Sequence, residues 1–539
     1  MTANTTNPTD TPDPTGTPGT PGTPDPTGTP GIPGTPGTEK TTRTDTTSTT
    51  DTTSATSATS ATARTRRAGR AKGGKGKAPV SAFRHTVESR EERTFLVRAG
   101  TAGGGRVRLS GYDLLTGPWY TPMTFFYRNT LDGAELRASL ARTLRGYPPL
   151  AGRLTRDRDG GLSVLCNDAG VRFTEAVSSE SMREYGPGLR TEPVIGGLLR
   201  EVSAFRVVDR DTPLLKIRLT QMRGGGSILG VTINHSLADG GNTLAFLESW
   251  SREHHGLASP EPSHDRDVMD ALGRESADPA TVASRAFIGV SRLRLLKTNL
   301  KVGLHKLATV ATRFEAAELA AMKNAAQRQL TGEGSWVSTN DVLSAHIWQV
   351  LGELRGRPDE AAEWLGMIVS VQSRLGDALP AGYWGNCVSN SWTTTPAAAL
   401  RERPLGRVAQ DVRACLDANT AEKIRDEIAF LNSYRGAGVS RHVMSVRAPD
   451  VFETALSVNN WSQFPLYRID LGGGKPFWYE FPDLPVPTVH IAPTPAEDGG
   501  RDVYLCLAQE HAAVVRDPAW LERLHVHGRT GGGGVPGGR

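Results

Sequence analysis

Residues 224–242 read GGGSILGVTINHSLADGGN, and the order of residue types there decides how the surrounding chain is built. Gly224, Gly225 and Gly226 supply a turn, and residues 227–234 then alternate as a strand. His235 stands at the strand end, and the following turn closes on Asp239, Gly240 and Gly241. A helix is expected from 242 to about 254, burying Leu244, Leu247 and Trp250. An imidazole, with a reference pKa of about 6.5, is well matched to accepting a proton from an alcohol near neutral pH. A strand end holds it as rigidly as a general base needs. The same pattern also fits a structural histidine beside an aspartate that caps the next helix.

Working outward, residues 123–127 and 213–219 read as further strands. Residues 134–144 place Leu136, Leu140 and Leu144 on one face of a helix. Later in the chain, helices are expected over 316–329 and 338–354, and strands over 366–372, 387–394, 455–459 and 504–508. Such alternation predicts an α/β protein of mixed layers. A chain of 539 residues exceeds a single core, so two domains are expected. Their expected bounds are 80–256 and 311–528, joined by a crossover at 257–310 whose Pro-, Ser-, Asp- and Gly-rich part, 257–282, is expected to be exposed.

Residues 1–79 are dominated by Thr, Pro, Gly, Ser and Ala, a composition that cannot offset its own ordering entropy, so a flexible tail is expected there. Its end is basic, with Arg64, Arg66, Arg67, Arg70, Lys72, Lys75 and Lys77. A second flexible stretch, Gly-rich, is expected at 529–539. The tail carries nine of the Lys and Arg and six of the Asp and Glu, so most of the formal net charge of +5 lies in it. The remainder is nearly neutral and has no electrostatic footprint for nucleic acid. Cys166, Cys387, Cys415 and Cys506 are scattered, which suggests neither a disulfide framework nor a metal site. No apolar run suggests a signal peptide or a membrane insertion, so a cytoplasmic, monomeric protein is expected.

Beyond the central stretch, a series of blocks occurs in order: LSGYDLLTGPWYTPMTFFY (109–127), PLAGRL (149–154), VLCNDAGVRFTEA (164–176), SHDRDV (263–268), VSTNDVLSAHIWQ (337–349), SRLGDALPAGYWGN (373–386) and NNWSQFPLYRIDLGGGKP (459–476). With His235 to Gly240 as His-x-x-x-Asp-Gly, the sequence resembles the BAHD acyltransferases over roughly residues 80–525. The resemblance implies two domains of the chloramphenicol acetyltransferase type, with acyl-CoA as co-substrate and no tightly bound cofactor or metal. It implies transfer of the acyl group to a hydroxyl or amine of a small molecule, with His235 as general base; no covalent acyl-enzyme is expected, because none of the four cysteines lies in a motif matching a nucleophile and the nearby serines have no separate base.

By the same resemblance, Asp239 turns away from the channel into a structural ion pair with Arg374. Trp461 donates its indole N–H to the thioester oxygen, an effect worth about 3 kcal/mol where single oxyanion donors have been removed. Plain core packing also accounts for that tryptophan. Ser338 and Thr339 resemble the segment that meets the coenzyme A phosphates at a helix start, although they are also ordinary helix caps. The family's Asp-Phe-Gly-Trp-Gly becomes Asp470, Leu471, Gly472, Gly473 and Gly474 here. Losing both aromatic residues puts the packing of that loop in doubt.

Two rival readings stay open. A condensation domain of peptide assembly lines shares the fold, but carries His-His-x-x-x-Asp-Gly where this chain has Asn234 before His235. A non-catalytic binding scaffold would account for the altered DLGGG loop and poorly for retention of His235, Asp239, Gly240 and Trp461.

Overall fold

The computed structural model describes residues 89–101, 104–186, 207–273, 286–437, 442–480 and 486–528. The flexible segments expected at 1–79 and 529–539 lie outside these residues. The first half runs β1 (Ser89–Val97), β2 (Gly105–Arg108), α1 (Gly111–Thr116), β3 (Tyr120–Tyr127), α2 (Gly133–Thr143), β4 (Arg153–Arg156), β5 (Leu162–Cys166), β6 (Val171–Ser181), β7 (Leu215–Arg223), β8 (Ser227–Asn234) and α3 (Gly240–His254). Then follow α4 (Arg266–Leu272), β9 (Phe287–Gly289), α5 (Arg292–Leu304), β10 (Leu307–Phe314), α6 (Ala316–Gln327) and α7 (Thr339–Arg355). The remaining strands are β11 (Ala362–Ser370), β12 (Val388–Pro396), β13 (Val443–Ser445), β14 (Ala455–Asn460), β15 (Trp478–Glu480), β16 (Thr488–Pro493) and β17 (Arg501–Ala508).

Two mixed six-stranded sheets carry the architecture, in the orders β1-β6-β7-β8-β3-β15 and β10-β17-β16-β14-β11-β12. Burial on both faces explains the composition of β8: all eight residues are buried, so Ile228, Leu229, Val231 and Ile233 need no solvent-facing alternation. On one side of that sheet, Leu136, Leu140 and Leu144 of α2 and its end meet Leu244, Leu247 and Trp250 of α3 in a single core. A second core sets Val342, Leu343, Ile347 and Trp348 of α7 against Leu365, Val458, Ile491 and Leu505.

Two expectations about the domain bounds need correction. The segment 257–282 is not simply an exposed crossover: within it, α4 buries Arg266, Met269, Asp270 and Leu272. Nor does the first sheet end with the first half of the chain. β15 pairs antiparallel with β3, Tyr479 opposite Phe125, so three residues from near the C-terminus complete the sheet that carries His235.

Candidate active site

Beyond the last residue of β8, Asn234, the pairing with β3 carries on for one more bond, His235 N donating to Trp119 O at 2.8 Å. Leu237 N then donates to Asn234 O, closing a tight turn, and Asp239 caps α3 by accepting from Asn242 N at 2.9 Å. Gly240 follows because the indole of Trp461 lies against the backbone there, and a Cβ would overlap its six-membered ring.

The imidazole is set by a chain of polar groups drawn from distant segments. Asn386 Nδ2 donates to Asp113 Oδ1 and to His235 O, each at 2.8 Å. With the amide N–H groups so engaged, Asn386 Oδ1 faces His235 Nδ1 at 3.2 Å, and that ring nitrogen must be the donor. The proton therefore sits on Nδ1 and the lone pair on Nε2, which makes no hydrogen bond among the described residues. Burial lowers the His235 pKa from its ordinary value, against opposing pulls that include Asp239, Asn386 and Asp113. The ring is consequently neutral at neutral pH, as a general base must be. Trp119 stacks on it, with ring centroids 6.0 Å apart and planes 18° apart.

Asp113 anchors this chain. Its Oδ2 accepts from Ser110 N and Oγ at 3.0 Å and from Arg266 Nε at 2.8 Å, and both members of the ion pair are buried. The guanidinium also donates to Leu237 O in the turn after His235, at 3.0 Å, and to Trp384 O. Trp384 Nε1 in turn donates to Asn242 O, and Asn242 Nδ2 donates to Gly385 O, both at 2.7 Å. The segment 383–386 thus clamps the His235 turn from the second half of the chain.

This geometry corrects the expected pairing of Asp239. Its carboxylate meets no arginine among the described residues: Oδ1 takes Asn242 N and Oδ2 takes Cys387 N at 2.8 Å. Arg374 is exposed and donates to Leu416 O at 3.1 Å. Burial raises the Asp239 pKa, against the N–H groups of Asn242 and Cys387 that hold the charged form. The buried ion pair that braces the turn is instead Arg266 with Asp113. Both residues lie in blocks that carried the resemblance, yet nothing in their spacing indicates that they meet.

Trp461 is also placed differently from expectation. Its Nε1–H donates to Asn459 Oδ1 at 2.9 Å, and its ring packs on Gly240 and Phe464. The N–H is therefore not presented as a free oxyanion donor. Ser338 is the N-cap of α7 in a capping box with Asp341, and Thr339 is the first helical residue. Arg413, which the sequence reading missed, donates to Ser338 Oγ at 3.0 Å, pairs with Asp341 and stacks over Trp336.

Asp470 shapes the 470–474 loop through Oδ1, which accepts from Gly472 N at 2.9 Å and Gly474 N at 3.1 Å. Leu471 is buried, and a Cβ at Gly473 would lie 2.6 Å from Leu131 Cδ2. The loop is therefore packed without the family's aromatic residues, and a side chain at 473 would have to displace the end of Leu131. Asp470 is tied to α3 by Ser251, whose Oγ donates to Asp470 O at 2.6 Å. Asp470 thus braces the far end of the helix that begins beside His235.

Residues 87–520 match the family model described as the transferase family. The chain belongs to this family, the coenzyme A-dependent BAHD acyltransferases. A shikimate O-hydroxycinnamoyltransferase of Nicotiana tabacum is 26% identical over 435 residues, covering 78% of this chain and 96% of its own length. A putrescine hydroxycinnamoyltransferase of Oryza sativa subsp. japonica is 27% identical over 457 residues, covering 80% and 98%. Among solved structures, F. graminearum TRI101 complexed with coenzyme A and T-2 mycotoxin aligns with a TM-score of 0.62 at 18% identity, over 78% of this chain and 99% of that one. Vinorine synthase aligns with a TM-score of 0.57 at 18% identity, over 79% and 96%. These structural likenesses establish that the chain shares the fold of those proteins.

Proposed function

We propose that the chain transfers an acyl group from acyl-CoA directly to a hydroxyl or amine of a small molecule, with His235 Nε2 as the base. The observation that carries this reading is the tautomer: Asn386, fixed by Asp113, makes Nδ1 the donor and leaves Nε2 able to take a proton. As the acceptor's oxygen or nitrogen attacks the thioester carbonyl, its proton passes to Nε2. The tetrahedral intermediate then collapses, the C–S bond breaks, and the proton returns to the departing coenzyme A thiolate. The names of the relatives span both acceptor chemistries, shikimate for oxygen and putrescine for nitrogen.

Direct transfer is favoured over a covalent acyl-enzyme by the state of the nearest thiol. Cys387 adjoins Asn386, but burial raises its pKa well above that of an ordinary thiol, so it stays protonated. We place the coenzyme A phosphates at the start of α7, beside Ser338 and Thr339, where the helix dipole favours an anion.

The test is His235→Ala, which should lower acyl transfer by about two to four orders of magnitude while the protein remains folded. In the parent, kcat/KM should fall as pH drops and the base takes up a proton. Because burial lowers the His235 pKa, the midpoint should lie below about 6.5. A folded His235→Ala protein that transfers at the parent rate would falsify the assignment.

A further inference from the structure

The helix α5 carries a row of leucines that the fold does not use. Leu293, Leu296 and Leu300 are 61%, 64% and 61% exposed. They stand at i, i+3 and i+7, so they form one stripe along a helix about 20 Å long. Leu295 and Thr298, on the opposite side, are partly buried. The stripe therefore points away from the body of the protein.

This is not a loosely held end. Ser291 caps the helix, its Oγ accepting from Arg294 N at 3.2 Å and its carbonyl from Leu295 N at 3.0 Å. Just before it, Val290 N donates to His442 O at 2.6 Å. Just after it, the His305 ring stacks on Phe452 with centroids 4.3 Å apart. Both flanks of the helix are pinned while the leucine face stays uncovered by the described residues.

The charge around the stripe selects its partner. Arg292, Arg294, Lys297, Lys301 and Lys306 fall within fifteen residues, and no Asp or Glu occurs anywhere from 279 to 314. Arg294 and Lys297 are exposed beside the leucines. A second copy of the chain would bring two such basic helices face to face, which like charge opposes. A convex row of leucines flanked by lysine and arginine is the pattern of a helix that lies in a membrane interface, apolar side in the acyl region and cations among the headgroups.

We infer that α5 is a docking element for an anionic lipid bilayer surface, binding it in the plane without crossing it. No helix among the described residues is long and apolar enough to cross a membrane.

The test is flotation of the full chain with vesicles of phosphatidylglycerol and phosphatidylcholine, against vesicles of phosphatidylcholine alone. Recovery should be at least about 10-fold higher on the anionic vesicles at low salt, and should fall as added salt shortens the Debye length to about 3 Å. Two variants separate the helix from the basic stretch at 64–77, which all proteins in the assay share. Leu293→Ser/Leu296→Ser/Leu300→Ser should cut partitioning about 10-fold or more, and Arg294→Glu/Lys297→Glu about 100-fold. Melting curves show whether each variant is folded, and if the leucine variant is not, the charge variant decides. Equal recovery on both vesicle types overturns the proposal. So does parent-like binding by the folded variants, or a change in sedimentation showing that the stripe joins two copies or an acidic protein partner instead.

Discussion

Asp239 and Asp470 use the same device with different reach. Each carboxylate accepts two backbone N–H groups beside a glycine-rich turn. Asp470 takes both from its own loop, Gly472 and Gly474, and its side chain is 36% exposed. Asp239 takes one from its own helix start and the other from Cys387, 148 residues away, and it is buried. One aspartate shapes a local turn. The other joins two halves of the chain beside His235, whose position therefore depends on groups that no local motif contains.

That contrast predicts a ranking of stabilities, measurable by denaturant unfolding. Arg266→Ala should be the most damaging, by about 3–5 kcal/mol, because it leaves Asp113 as an uncompensated buried charge beneath the His235 turn. Asp239→Ala comes next, at about 2–4 kcal/mol, since it leaves the N–H groups of Asn242 and Cys387 without their acceptor. Asp470→Ala should cost about 1 kcal/mol, because water can replace a half-exposed acceptor. Arg374→Ala should stay within about 0.5 kcal/mol, as a surface substitution does. Asp470→Ala matching Asp239→Ala would erase the distinction between local and long-range bracing. A loss on Arg374→Ala as large as that on Arg266→Ala would restore the originally expected ion pair.

What could be read from the sequence divides along the same line. Strand β8 falls at 227–234 as expected, and α3 begins two residues earlier than expected, because a hydrophobic strand, a turn and an aspartate cap are all written locally. The family was likewise legible, because its blocks occur in order. The supports of the base were not. Asn386 and Asp113 lie 273 residues apart, and a polar residue in a loop carries no sign of its distant partner. Arg266 lies in a Pro-, Ser-, Asp- and Gly-rich stretch whose composition suggests solvent, yet it is buried once α4 docks. β15 is three residues long, too short to show a period of two. The role that the resemblance implies for Trp461 gives no sign that Asn459, two residues before it, accepts the indole N–H.

The exchange of β15 has a consequence for how the protein is made. Strand β3 has β8 on one side, and its other side stays open until residues 478–480 arrive. During synthesis, more than 300 residues separate the emergence of that edge from that of the strand which closes it, an interval of tens of seconds at about 5–20 residues per second. An exposed strand edge is a template for pairing with other chains. Tyr127 marks the same delay, since its buried hydroxyl finds its acceptor only when Ile469 has been made. A nascent chain halted before residue 478 would therefore hold His235 on an unfinished sheet, open to aggregation at β3, and β15 acts as the seal on the first domain.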